Sequence, residues 1–367
     1  MSTNDAFYYV ALKRVTGLGN VTARRLLERF RTARNIFNAP MAELSSIRGV
    51  SGAVIQAIQA FDEEKEVLRT LEQAERYNVS IVCWHDEEYP KSLREIHDPP
   101  PFFFLRGNLD RRDSMSIAVV GTRDPTQYGE SMTRELCKAL ARHGLTIVSG
   151  LARGIDGRAH EAALEQGGRT VAVSGCGLDI VYPRENAALY RSIPSNGAII
   201  SEYPIGVRPE SHHFPVRNRI ISGLSLGVVV VEAADRSGSL ITARMASEQG
   251  REVFAVPGSL SSPKSRGTHA LIQRGAKLVT RVDDILNELE HRFSPIQPES
   301  EEVEWHDFTD REMKILNLLR PDPVHFDELV RGSGMSVPEV SGCLLTLTLK
   351  GALYELSGKM YVKKIQL

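Results

Sequence analysis

From Ser116 onward the chain alternates short apolar runs with helix-spaced stretches, and this alternation constrains the fold more than any other feature. The runs are SIAVVG (116–121), TIVSG (146–150), TVAVSG (170–175), AIISE (198–202), GVVVVEA (227–233), EVFAVPG (252–258) and KLVT (277–280). They are too short for helices, rich in β-branched residues, and mostly closed by glycine or another small residue. Strands that are apolar on both faces must be covered on both faces. The pattern therefore predicts an α/β fold with a Rossmann-like, doubly wound, mostly parallel sheet. Ligands of such sheets bind outside the carboxyl ends of the strands, so function is sought in the loops that follow them.

Other segments flank the sheet. Residues 1–75 read as a helical domain with two similar units, Val15 to Phe30 and Ser45 to Phe61, each a glycine turn followed by an amphipathic helix. Tandem units of this kind resemble helix-hairpin-helix or SAM-like modules. They either hold a phosphate on free backbone N–H groups at a helix start or serve only for packing. Arg24 and Arg25 suit the first use in the first unit, whereas the second unit has almost no base. The sheet domain is assigned to 76–290, and a polar, acidic, proline-bearing linker to 291–308. In 309–367, Thr309 with Glu312 and Ser336 with Glu339 form capping boxes that open two helices. A further short helix and the hairpin-like ALYELSGKMYVKK complete a winged-helix-like domain. Its third helix carries one Lys and one Glu where a groove-reading helix presents Arg, Asn or Gln, which favours protein contact over duplex reading.

Composition bears on compartment and partner class. No stretch approaches 18 apolar residues, so membrane insertion is not expected. Cys83, Cys137, Cys176 and Cys343 form no CxxC pair and the N-terminus has no secretory pattern, which predicts a reducing cytoplasm. The net charge of -1 conceals local imbalance. Lys13 to Arg34 carries +6, Arg208 to Arg281 carries +6, and Asp283 to Glu312 carries -9. Basic blocks offset by an acidic one are either an electrostatic footprint for nucleic acid or ordinary solvated faces.

The loops sharpen that reading. After the first run, GTRDPTQYGE sets Gly121 in a tight turn with the Thr122 hydroxyl and Arg123 at the ligand edge. GxGxxG is not met and no acidic residue closes the second run, so no dinucleotide or other cofactor is expected. SGLARGIDGRAH adds glycines and Arg153. EAADRSGSLITARMA places Ser237, Gly238, Ser239 and Thr242 around a helix start, a nest for an anion. VPGSLSSPKSRG makes a fourth such loop, and four on one edge imply a phosphate-rich ligand. Ahead of the fifth run, Phe214 stands with His212, His213, Arg217, Asn218 and Arg219. Aromatic rings interleaved with guanidinium groups are what single-stranded nucleic acid uses; the alternative is a core Phe214 with the arginines in surface pairs, against which stands the company of the neighbouring loops. GxSxG, HExxH and GxxxxGK[ST] are absent, and no catalytic residue or metal is assigned. Asp156 and His160, four apart, are taken as a helix-capping Asp and a solvated His in preference to metal ligands.

In this order GTRDPTQYG, SGLARGIDGRAH, the run Leu178 to Asn186, SEYPIG with FPVRNRIISGLS, and VVEAADRSGSLITARMA through AVPG resemble the DNA processing protein A family, DprA or Smf. The resemblance covers roughly Val79 to Asn287. It implies a protein without catalysis that binds single-stranded DNA, loads the RecA recombinase onto it, and protects incoming strands in natural transformation and homologous recombination. It implies a homodimer joined through the sheet domain. It also implies that Arg123, Phe214, Arg217 and Arg219 form the DNA pocket, with Asn218 shaping the loop. A basic residue usual in the family just before the aromatic is unmatched: Ser211, His212 and His213 stand there, leaving Arg208 or a histidine for that contact. The alternative is a nucleotide phosphoribohydrolase-like enzyme on the same sheet edge, against which stands the lack of a PGGxGT turn.

Overall fold

The strands β1 (Ser80–Cys83), β2 (Phe102–Gly107), β3 (Ser116–Val120), β4 (Thr146–Ser149), β5 (Thr170–Ser174), β6 (Gly197–Ser201), β7 (Gly227–Val230), β8 (Glu252–Ala255) and β9 (Lys277–Leu278) form one sheet, in the order β1-β2-β6-β5-β4-β3-β7-β8-β9. The computed structural model that shows this describes residues 3–290, 308–319, 324–350, 352–356 and 358–363. Every pairing from β6 to β9 is parallel. The doubly wound sheet predicted from the alternation is therefore present. It is extended at one edge by β2 and β1, which pair antiparallel.

Alternation of side chains across each strand supplies two cores. Ala118 and Val120 of β3 face one apolar cluster with Val228 and Val230 of β7, while Ile117, Val119 and Val229 face the other. Helices Gln127–Arg142 and Ile155–Glu165 cover the second face through Leu136, Leu140, Ala159 and Ala163. From β3 the chain steps outward through β4 and β5 to β6, then crosses back to lay β7 on the other side of β3. The loops leaving β3 and β7 consequently diverge, and a crevice opens between them at the carboxyl ends of the strands.

Six helices, Thr3–Arg14, Asn20–Phe30, Ala33–Phe37, Met41–Ser45, Gly52–Gln59 and Glu64–Arg76, precede the sheet. The boundary expected near residue 75 does not separate a compact unit: the chain divides at residue 293 instead. The cause is a shared core, since Leu12, Leu26 and Val67 belong to the same apolar cluster as Trp84, Phe103 and Ile199. The acidic linker assigned to 291–308 lies outside the described residues except for Phe308. In the second unit, helices Asp310–Leu318, Phe326–Ser333 and Val337–Leu349 accompany a three-stranded sheet of Val324–His325, Leu353–Leu356 and Met360–Lys363. Both predicted capping boxes are formed there.

Candidate nucleic-acid interface

The turn after β3 is held from β7. Thr122 N donates to Glu232 O (2.8 Å), and Thr126 donates through N (2.8 Å) and Oγ1 (2.5 Å) to the buried Glu232 carboxylate. Gly121 is required here because a Cβ would lie 2.6 Å from the Ile155 side chain. The loop after β4 packs against this turn. Gly154 has φ +80° and a Cβ on it would fall 2.4 Å from Thr122 O, so only glycine permits the approach. Arg123 and Arg153 are both exposed, with Arg153 Nε donating to Arg123 O (3.3 Å). Asn186 steadies the same loop by donating to Leu151 O (2.9 Å) and Ala152 O (3.0 Å). Replacing Gly154 with alanine is expected to cost about 1 to 3 kcal/mol of stability through the left-handed backbone alone. It should also displace Arg123, which thermal unfolding and a DNA titration of the same variant will register together.

FPVRNR is helical, not a loop: it begins the helix His213–Leu224. At about 100° per residue, Phe214, Arg217, Asn218 and Ile221 fall on one face. All four line a cleft of about 320 Å³ together with Thr122 and Gly238. A second cleft of about 740 Å³ is lined by Arg153, Tyr182, Arg184 and Arg208. Arg123, Phe214 and Arg217 line both, so the Phe214 ring divides one groove. Arg123 Cζ lies 5.7 Å and Arg217 Cζ 5.8 Å from the ring centroid. Tyr182 stacks on the ring at 5.4 Å with planes 29° apart. Beyond Arg123, Gly238 caps the helix Ser239–Glu248, and the Ser237 and Ser239 hydroxyls lie 2.8 Å apart.

Arg217 forms the buried floor. Its Nη1 donates to Gly150 O (2.8 Å) and to Val173 O, and its Nε donates to Asn218 Oδ1 (3.3 Å). Burial draws its pKa down to about 10 against the pull of Asp156, with Arg123 adding to the fall. The guanidinium therefore remains charged at neutral pH. Burial raises the carboxyl of Asp156, Arg217 opposes the rise, and Asp156 Oδ2 accepts from Gly150 N (3.1 Å). His160 is not solvated but fully buried. Thr170 Oγ1 donates to Ile147 O (2.7 Å) and so accepts from His160 Nδ1 (2.6 Å). Burial and Arg217 push the imidazole pKa down to about 3, keeping it neutral.

Arg219 does not join the pocket. Two positions beyond Arg217 is about 200° of helix turn, which puts it on the opposite face. There it donates through Nη2 to the Glu202 carboxylate, with Nε 3.1 Å from Asp98 Oδ2. Glu202 also accepts from Lys13 Nζ (3.4 Å) and Asn20 Nδ2 (3.2 Å). This cluster ties the glycine turn at 17–19 and its two helices to the site helix. Arg24 donates to Ile96 O (3.1 Å) and Arg25 to Arg48 O (2.9 Å), so the bases that suited a phosphate-holding hairpin are engaged by backbone carbonyls. Sequence reasoning missed Tyr182 and Arg184 as groove residues. Their spacing of two in VYPRE repeats the aromatic and guanidinium interleaving that singled out Phe214.

Residues 80–290 match the family described as DNA recombination-mediator protein A, and 297–359 match the DprA winged helix domain. Protein Smf of Synechocystis sp. is 34% identical over 398 aligned positions, covering 99% of this chain and 100% of that protein. DNA processing protein A from Streptococcus pneumoniae is similar in structure with a TM-score of 0.67 at 39% identity, over 77% of this chain and 97% of that one. DNA processing protein A from Helicobacter pylori, solved for insight into its single-stranded DNA binding mode, gives 0.52 at 33% identity over 58% and 96%.

Proposed function

Because this chain belongs to the DNA recombination-mediator protein A family, we propose that it binds single-stranded DNA along the groove at the sheet's switch point and loads a RecA-class recombinase onto it. The observation that carries this reading is the Phe214 ring, flanked by Arg123, Arg217 and Tyr182 at the carboxyl ends of the strands. Every base has a π-face, so a ring platform accepts any sequence, while guanidinium groups hold the backbone. Tyr182, exposed and stacked on Phe214, lengthens the platform. Arg123 and Arg153 provide surface charge, the Ser237–Ser239 turn offers backbone N–H groups at a helix start, and Arg217 supplies a fixed charge beneath.

Binding and not catalysis is proposed, because Asp156, the buried carboxylate of the floor, is committed to Gly150 N. The ligand class is supported by the Helicobacter pylori relative, and the recombinase by the family's description as a recombination mediator. A homodimer through the sheet domain and a cytoplasmic location complete the proposal. No described helix is long and apolar enough to cross a membrane.

Titration of an oligo-dT strand at several salt concentrations tests the reading. The logarithm of the binding constant should fall linearly with the logarithm of salt, by about 0.7 per neutralised phosphate. Arg123→Ala should make that slope shallower by about 0.7. A slope near zero for the wild-type protein overturns the phosphate-holding groove. The recombinase step is read separately, as faster filament nucleation by a RecA-class protein on dT carrying this chain, with the gain absent for Arg123→Ala.

A further inference from the structure

The turn entering the helix His213–Leu224 gathers three ligand-type side chains within four residues. One ligand atom each from Glu210, His212 and His213 lies within 4.8 Å of the others. His213 is buried, and its ring lies on that of Tyr203 with centroids 4.0 Å apart and planes 26° apart. Its Nδ1 is 3.1 Å from Gly175 O. A carbonyl oxygen can only accept, so Nδ1 carries a proton, and in the neutral ring the lone pair is on Nε2. Metal-bound imidazoles are held in this way, since donation of the second ring N–H to a carbonyl fixes both tautomer and ring orientation. His212 packs edge-on against His213 at 4.4 Å, and its Nδ1 is 3.5 Å from Glu210 Oε2. Glu210 and His212 are exposed and can turn about a fixed His213.

We propose that Glu210, His212 and His213 form a site for a divalent transition metal of the zinc class. Two imidazoles and one carboxylate are an established zinc donor set that leaves a coordination position open. With bonds of about 2.0 to 2.2 Å the ligand atoms of a tetrahedral site sit about 3.5 Å apart, so a small rotation of the two exposed side chains closes the set. The Glu210–His212 contact taken as a surface ion pair is worth little and does not involve His213. Ser211 lines the smaller cleft, and Arg208 and Pro209 line the larger, so the metal sits on the rim between them. Water or a phosphate oxygen completes its coordination.

This proposal does not depend on the nucleic-acid reading, because metal binding is measured without DNA. The full chain, stripped with a chelator, is titrated with Zn²⁺ by calorimetry and with Co²⁺ by visible absorption. One equivalent of either metal is expected, with the Co²⁺ bands of a four- or five-coordinate nitrogen and oxygen site. His212→Ala and Glu210→Gln should each weaken binding about tenfold or more, and the double variant should lose the Co²⁺ bands. The metal-free variants should unfold at the wild-type temperature, since both side chains are exposed. Absence of stoichiometric binding overturns the site, and so does binding that both substitutions leave unchanged.

Discussion

Arg219→Ala is expected to lower the thermal unfolding midpoint by about 10 °C while leaving the salt dependence of DNA binding as it was. The guanidinium is buried between Glu202 and Asp98, and the Glu202 side chain is only 6% exposed. Removing the guanidinium leaves the buried Glu202 carboxylate with only Lys13 and Asn20, and breaking a buried pair costs about 3 to 5 kcal/mol. For a unit of this size each kcal/mol moves the midpoint by about 2 to 4 °C. Arg219→Lys should recover only part of the loss, because a point ammonium cannot reach both carboxylates in the fork geometry of a guanidinium. An unchanged midpoint together with a shallower salt slope would return Arg219 to the groove.

The same cluster sets a pH dependence. Burial works to raise the Glu202 carboxyl, but Arg219, Lys13 and the hydrogen bonds outweigh it and hold the group below the ordinary carboxylate range. A group depressed in the folded state stabilises above its unfolded pKa, and that stabilisation is lost as pH falls through the folded value. The midpoint should therefore begin to drop below about pH 4.3. Glu202→Gln should remove this component of the acid sensitivity and lower the midpoint at neutral pH. An equal acid response in wild type and variant would place the sensitivity elsewhere.

Phe214→Ala is expected to weaken oligo-dT binding by about 5- to 150-fold, the equivalent of about 1 to 3 kcal/mol for one stacked base. It removes no charge, so the salt slope should stay at its wild-type value, unlike that of Arg123→Ala. The ring is half-buried and its helix is anchored from the other face by Ile220 and Arg219, so the fold should survive. Gly175→Ala offers a gentler version: its Cβ would lie 2.9 Å from the Phe214 ring and displace it from Tyr182 and Arg123. Anisotropy of a labelled dT strand reads both variants. Wild-type affinity in Phe214→Ala would remove stacking from the account.

The parallel strands were legible because β3 to β8 are apolar on both faces, and each lies within its predicted run to a few residues. The antiparallel pairing was not: SIVCW reads as the strand that becomes β1, but β2 follows three prolines and reads only as extended chain, and its partner β6 is about 95 residues away, with no local signal of register. Gly121, Arg123, Phe214 and the Ser237–Ser239 turn line the smaller cleft and could be named from loop chemistry, because several glycine and hydroxyl loops gather on one sheet edge although any one of them reads as a plain turn. Arg219 could not be told apart from them, because FPVRNR reads as a loop, in which neighbouring side chains share one surface. Applying helical spacing to the same six residues separates Arg219 from Phe214 and Arg217. His160 shows the reverse limit, since a polar residue buried by packing against Thr170 looks like any surface histidine in sequence.

The crossover that places β7 beside β3 also sets how much of the chain must be made before the groove can be complete. Ile117 pairs with Gly227, more than a hundred residues later, and Glu232 must follow before the Thr122–Thr126 turn is pinned. A ribosome that has released the chain only as far as residue 225 has delivered Arg123, Phe214 and Arg217 but neither that carboxylate nor the helix start at Gly238. Contacts so distant in sequence close late. A half-made chain thus carries Phe214 and its arginines without the pinned turn and the helix start beside them, so the groove is complete only once its sheet is.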